Sequence, residues 1–485
     1  MAVVIKLSQA QFFQPEGLVR ANLVCVHAVD SKNFIDHTRS RPPGNTDLSR
    51  LIPVKILHKS ASFPRIYAAR VCLISVIIFF AAHLALLTDL SNPEKFVFDE
   101  VHYVPAAQQM LAPAIGEPML NPMHPPLAKQ IIALSIRAFG DNSFAWRYPG
   151  TLFGALAVVA IYLCGLAVFG SQREAIAGAL IAFFNQMLFV MARTAMLDIF
   201  ALTFGLFGIA AFLKGFGEEK PHRSFALAGI AFGLAGACKW SGLFPLAVAV
   251  VIVGAIKLMQ SWRTTFGEAN VSDWYRPDLW PEFKAHHFLL CFVLLPVLAY
   301  LPSFVALYGF SLSDIVEAQR RIFSDNTTTN IAGHTYMSSW PSWPFLVRPV
   351  WFLFDKIDED KIAAVVFLGN PLVLWPVVGA VALALRDWIM TRSREAFLVL
   401  AFYLGPYLSW ALLPRALGFL YYYLPSATFA SLVLVYALRR GPPWLLWAYL
   451  VLAIVGFVAM LPVSAAFVGT SMATFGHLML FRNWI

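Results

Sequence analysis

Phe98-Asp99-Glu100-Val101-His102-Tyr103, followed by His124-Pro125-Pro126-Leu127-Ala128-Lys129, lies between two long apolar runs of the chain. That placement puts both stretches at a membrane face, outside the hydrocarbon. Ionisable groups kept beside a bilayer core are costly and mark functional positions. Adjacent residues also diverge, by about 100° on a helix and to opposite faces on a strand. Asp99 and Glu100 therefore cannot share a job, and the expectation is that one carboxylate acts on a substrate while a cation holds the other.

The surrounding composition fits a membrane protein. Of 485 residues, 59% are hydrophobic and 13% charged, against about 25% charged in soluble domains. The net charge of +9 comes from basic residues spread over short loops. This is a topology signal and excludes a nucleic-acid patch. Cys72, Cys164, Cys238 and Cys291 fall inside apolar segments, and no CxxC pair occurs. Neither a disulfide framework nor a zinc motif is implied.

Residues 1–65 read as a polar cytoplasmic tail without a signal-type apolar run, 66–465 as one transmembrane domain, and 466–485 as a C-terminal tail. Apolar runs of roughly 20 residues, the length a bilayer requires, recur near 69–89, 147–168, 174–192, 196–213, 224–240, 242–259, 288–308, 363–385, 396–413, 417–437 and 443–461. The fold class is thus an all-α polytopic bundle of about 11 spans. Arg173, Lys214, Lys220, Arg223, Arg386, Arg392, Arg394, Arg439 and Arg440 fall on one side, which the positive-inside rule makes cytoplasmic. Loops 90–146 and 309–362 then share the outer face. Residues 126–139 open with prolines and mix apolar with cationic positions, as a helix lying in the interface would. Trp340, Trp343, Phe345, Trp351 and Phe352 read as headgroup-level aromatics.

The outer face then gathers Asp99, Glu100, His102, His124, Lys129, Arg137, Arg147, Arg193, Asp198, Lys239, His334, Arg348 and Arg415. Carboxylates and cations together suit a reaction on an anionic lipid headgroup. One carboxylate would take a proton from an acceptor hydroxyl, and Arg or Lys would stabilise charge on a departing phosphate. An interfacial salt-bridge cluster that only fixes the loops fits the same pattern. Asp358-Glu359-Asp360 resembles a metal-holding D-x-D but lies in a solvated charge run. An Arg193–Asp198 pair could equally fix its own helix end. The glycines of 205–208 and 229–236 suit close helix packing.

Taken in order, the motifs resemble those of the protein O-mannosyltransferases, membrane enzymes of the GT-C class. They are Phe98–Tyr103, His124–Lys129, Trp146-Arg147-Tyr148-Pro149-Gly150, Arg193 with Leu197-Asp198, Lys239-Trp240-Ser241-Gly242, Ser339–Pro344 with Arg348, Leu368-Gly369-Asn370-Pro371, and Pro414-Arg415 leading into Tyr421-Tyr422-Tyr423-Leu424-Pro425. The resemblance covers roughly residues 65–465. It implies a GT-C bundle with interfacial helices in the first outer loop, and inverting transfer of mannose from a polyprenyl-phosphate donor to Ser/Thr hydroxyls of proteins. It aligns Asp99 with the catalytic base, Glu100 with the second acidic residue and Arg147 with the arginine pairing with it. His102, His124, Lys129, Asp198, Lys239, Arg348 and Arg415 become substrate-binding candidates. The lipid-linked sugar is the only cofactor-like partner implied, with no metal and no nucleic acid. Loop 309–362 has no room for the MIR repeats of larger members, and the compact form points to a prokaryotic plasma membrane with the site on the extracytoplasmic face. An aminoarabinose-transferase-like enzyme acting on lipid A and, more distantly, a transporter or flippase are the alternatives.

Overall fold

Four of the longer helices begin where a short polar side chain holds the first amides. Asn142 accepts from Ala145 N to start a helix at Ser143, and Ser171, Asn370 and Ser393 do the same further on. Gly170, at φ +65°, closes the first of these helices in the left-handed conformation glycine permits. The computed structural model describes residues 62–112, 119–266, 279–328, 333–413, 418–466 and 469–485. Arg415 and nearly all of the segment read as an N-terminal tail lie outside them.

In chain order the helices are α1 (Ser62–Leu87), α2 (Glu100–Leu111), α3 (Leu127–Phe139), α4 (Ser143–Phe169), α5 (Gln172–Phe183), α6 (Gln186–Ala192), α7 (Asp198–Phe216), α8 (His222–Cys238) and α9 (Phe244–Phe266). Then come α10 (Ala285–Leu289), α11 (Leu295–Tyr300), α12 (Pro302–Tyr308) and α13 (Leu312–Thr328). After a hairpin of β1 (Val350–Lys356) and β2 (Lys361–Phe367) follow α14 (Pro371–Thr391), α15 (Arg394–Leu412), α16 (Leu424–Leu438) and α17 (Pro443–Met460). A short β3 (Thr470–Ser471) and α18 (Met472–Leu478) complete the described elements.

Among the described residues nine helices are long and apolar enough to cross a membrane, or ten if α5 and α6, bent by 66°, make one span. The expected eleven are not reached. The shortfall is α8, whose 17 residues rise about 26 Å against a hydrocarbon core of about 30 Å. Within the bundle, the Leu420–Leu438 span is 89% buried and α7 78%, whereas α1 is 22% buried. The first two are the central posts, and α1 turns most of its surface to lipid. A Cβ on Gly229 or Gly233 of α8 would strike the backbone of Cys291 or Pro296. These glycines thus allow the close helix contact expected of them.

The two sets of charges separate along α4. Arg147 stands at its start, and Phe169 at its end lies under the Arg439 guanidinium at 5.1 Å. Arg439 also pairs with Glu174 at 3.7 Å, and Arg440 with Asp387. A 27-residue helix spans about 40 Å, so this basic end and the acidic-pair end face opposite sides.

Two expectations about the outer loops change. The second loop is no headgroup anchor throughout: Trp343 and Phe352 are only 1% and 5% exposed. Trp343 is internal because it packs edge-on against Trp410 and Tyr422, and Phe352 because residues 350–367 fold into the hairpin, which packs back onto the first loop. Residues 469–485 are not a separate tail, since Pro64–Ile485 is one compact unit. Ile362 of β2 pairs with Thr470, and the buried Trp484 donates from Nε1 to Leu346 O at 2.7 Å. Asp358-Glu359-Asp360 forms the hairpin turn, with Asp358 Oδ1 accepting from Asp360 N and Lys361 N at 2.9 and 2.7 Å.

Candidate active site

Glu100 has no accessible surface. Its Oε1 accepts from Arg147 Nε at 2.9 Å and Ala195 N at 2.8 Å, and its Oε2 from Arg147 Nη2 at 3.0 Å and Val97 N at 2.8 Å. Four donors fill a carboxylate's four acceptor positions. Arg147, 1% exposed, is equally complete. Its other N–H groups reach the carbonyls of Leu90 at 3.4 Å, Pro93 at 2.8 Å and Lys95 at 2.7 Å. One guanidinium thereby folds the 90–97 loop around itself, and the pair has no capacity left for a substrate.

Asp99, one residue earlier, is in the opposite condition. It is half-buried at the start of α2. Tyr103 Oη donates to its Oδ2 at 3.3 Å, and no other side chain among the described residues hydrogen-bonds the carboxylate. Burial raises the Asp99 carboxyl above its ordinary value, with Asp198 adding to the rise. Lys239, His102 and the Tyr103 hydrogen bond pull it back. The divergence required of neighbouring residues is thus realised: one carboxylate is saturated by a cation and the other kept open.

Beside Asp99, two further helix ends meet. Asp198 begins α7 and Lys239 follows α8. Lys239 Nζ donates to both Asp198 oxygens, at 2.9 and 2.8 Å. The same ammonium lies against the rings of Tyr421 at 5.3 Å and Tyr422 at 5.6 Å, a cation–π floor that holds a desolvated charge. Asp198 therefore pairs with Lys239 and not with Arg193. Arg193 instead donates to the carbonyls of Leu86 at 2.8 Å and Thr88, capping α1. Lys239, with His124, Trp240, Trp410 and Phe323, lines a cleft of about 240 Å³. A narrower cavity lined by Asp198, Ser241 and Tyr422 runs from the same pair between α7, α9, α15 and α16.

The remaining candidates divide. His102 is exposed on α2, and the His124 ring meets Tyr103 edge-on at 6.0 Å. Lys129 is 2% exposed, and its ammonium donates to Asn121 O at 2.6 Å and His124 O at 3.0 Å. Burial lowers it to about 7. Two of its three donors thus brace the His-Pro-Pro loop. Arg348 donates from Nε to Thr335 O at 2.8 Å. Among the described residues no group of three or more His, Cys, Asp or Glu converges in a metal-holding arrangement. The residues that motif reading passed over as chemistry are Tyr103, Tyr421, Tyr422, Phe98 and Phe352. Each sits in or beside a quoted motif, but aromatic residues in an apolar chain carry no signal until their neighbours are known.

A membrane bundle with an open loop carboxylate beside a Lys–Asp pair is the build of a GT-C glycosyltransferase. Residues 76–313 match the family described as "Dolichyl-phosphate-mannose-protein mannosyltransferase", and residues 311–484 match the "C-terminal four TMM region of protein-O-mannosyltransferase". The chain belongs to the protein O-mannosyltransferase family. The polyprenol-phosphate-mannose–protein mannosyltransferase of Mycolicibacterium smegmatis is 27% identical over 402 residues, covering 69% of this chain and 74% of the relative. The fold is similar to the Saccharomyces cerevisiae Pmt1-Pmt2 complex bound to its sugar donor, with TM-score 0.67, 15% identity and coverage of 86% and 93%. ArnT of Cupriavidus metallidurans bound to undecaprenyl phosphate is a more distant likeness, with TM-score 0.53, 16% identity and coverage of 80% and 70%.

Proposed function

We propose that this chain transfers mannose from a polyprenyl-phosphate-mannose donor to Ser/Thr hydroxyls of proteins, inverting the anomeric carbon. The observation that carries the reading is the unequal fate of the two carboxylates: among the described residues Glu100 has four hydrogen-bond donors and Asp99 one. Asp99 takes the hydroxyl proton of the acceptor as its oxygen bonds to the anomeric carbon. The bond from that carbon to the phosphate oxygen breaks, and the phosphate leaves with the electron pair, so no separate general acid is needed. Glu100 and Arg147 hold the loop. Lys239, paired with Asp198, and Arg348 supply positive charge toward the phosphate and sugar, with His102 and His124 as further substrate contacts. Arg415 keeps a phosphate role on its motif position alone. Lys129 positions the His124 loop rather than the donor. The decisive assay is transfer from polyprenyl-phosphate mannose to a Ser/Thr peptide by purified protein, with lipid A offered in parallel. Mannosylated peptide supports the reading. Modified lipid with unmodified peptide replaces it by the lipid A alternative.

The site is proposed to face the extracytoplasmic side of a prokaryotic plasma membrane, supported by the separation of charges along α4. Glu94 and Glu359 are exposed in the two outer loops. Cysteines at these positions, in a background without native cysteines, are expected to react with an impermeant thiol reagent in intact cells. Reaction only after permeabilisation reverses the orientation.

A further inference from the structure

The residue before Asp99 has a backbone its type disfavours. Phe98 sits at φ +51°, a left-handed conformation that bulky residues adopt only when their surroundings impose it. Those surroundings are aromatic. The Phe98 ring stacks on Phe352 at 4.5 Å with 3° between planes, and Tyr421 meets it edge-on at 6.0 Å. Phe352 stacks in turn on Phe367 at 5.3 Å and 13°.

Phe352 reaches Phe98 through an irregularity in the hairpin. The register pairs Trp351 with Val366 and then Leu353 with Val365, leaving Phe352 as the extra residue of a β-bulge. A bulge bends its strand and redirects the side chain it carries. The strand is anchored on both sides of this point. Asp355 pairs with Lys95 of the first loop at 2.5 Å, and Trp351 Nε1 donates to Trp484 O at 2.9 Å.

We infer that Phe352 is a positioning residue: the bulge presents a flat ring that holds Phe98 left-handed and so fixes the direction of the Asp99 carboxylate. The Glu100–Arg147 pair fixes the loop on the other side of Asp99, and the bulge fixes this one. The inference rests on reading Asp99 as the base. A misplacement of about 1 Å in a reacting group costs on the order of 10²-fold in rate.

The test compares Phe352→Leu, which keeps apolar bulk without the flat ring, and Phe352→Tyr, which keeps the ring. It uses the full-length protein in detergent. Hydrogen exchange is read on the peptide spanning residues 97–104, and single-turnover transfer to a Ser/Thr peptide at saturating donor. For Phe352→Leu the expectation is faster exchange confined to that peptide, and a turnover rate lower by roughly 10- to 100-fold with donor KM unchanged. Phe352→Tyr is expected to match wild type in both. Glycine enters the left-handed region freely, so in a Phe98→Gly background Phe352→Leu should lower the rate no further. Unchanged exchange in Phe352→Leu, or Phe352→Tyr behaving like it, overturns the clamp. Faster exchange with an unchanged rate overturns its positioning role. A wild-type protein that moves no mannose overturns the functional reading instead, and the exchange comparison still decides the clamp.

Discussion

Asp99→Asn is expected to lower the rate of mannose transfer by roughly 10²–10⁴-fold, the usual contribution of a positioned general base, while folding and donor binding survive. The substitution keeps the side chain's size, and its amide oxygen can still accept the Tyr103 hydroxyl that lies 3.3 Å from Oδ2. What it removes is basicity. The loop should not respond, because its framework is the Glu100–Arg147 network and the Phe98 stack, neither of which uses the Asp99 carboxylate. The pH profile supplies a second reading. A base must be deprotonated, so kcat/KM falls as pH is lowered through the Asp99 pKa. Burial raises that pKa, placing the acid limb above the value of about 3.9 for a free aspartate. The sign for stability is opposite to that of an ion-paired carboxylate: the folded state holds this proton more tightly than the unfolded chain, so stability falls as pH rises through the window. Single-turnover transfer with saturating donor is the measurement. A wild-type rate in Asp99→Asn, with a dead Glu100→Gln, would reverse the two roles. Full activity in both would make the loop structural and end the catalytic reading.

How much of this was readable beforehand depends on the type of residue. The spans were legible because a bilayer demands long apolar runs, and the charges because an ionisable group among such runs has few innocent explanations. Even the different surroundings of the Asp99 and Glu100 carboxylates followed from chain geometry. The helix count did not, because α8 is short and α5–α6 is bent at Phe184–Asn185. Asn185 stabilises that break by capping α6 at Met187 N, a local signal that an apolar run obscures, and by donating to Ala427 O, a tertiary bond that the sequence does not show. Lys129 and Lys239 look alike in the sequence, as lysines in ordered motifs beside the membrane. Only the fold distinguishes them, because Lys129 meets two backbone carbonyls and Lys239 a carboxylate. The hairpin escaped notice for a related reason. Its strands alternate poorly, with six of seven β2 residues buried, so a window of Ala, Val, Ile and Phe reads equally well as the edge of a transmembrane helix.

Arg147→Ala should be the most damaging single change to the fold. It strands the carbonyls of Leu90, Pro93 and Lys95 and leaves Glu100 with only the Val97 and Ala195 amides. Removing one partner of a buried pair typically costs about 3–5 kcal/mol, because the surviving charge is left uncompensated. Glu100→Gln makes the converse error: it keeps the shape, halves the acceptor capacity and leaves a buried guanidinium facing an amide. Each single variant therefore carries the penalty of one unpaired charge, and the double variant carries neither charge in that form. Its loss of stability should be clearly smaller than the sum of the two, since contacting residues couple. Unfolding midpoints in detergent for the two singles and the double measure this directly, with transfer assayed on the folded fraction. The contrast with Asp99→Asn is the point of the comparison, for there chemistry is lost from an intact fold, and here the fold that aims Asp99 is lost first. Additive midpoints, or an Arg147→Ala protein as stable as wild type, would show that the pair does not organise the loop. The two neighbouring carboxylates would then need another account of why one is buried and one open.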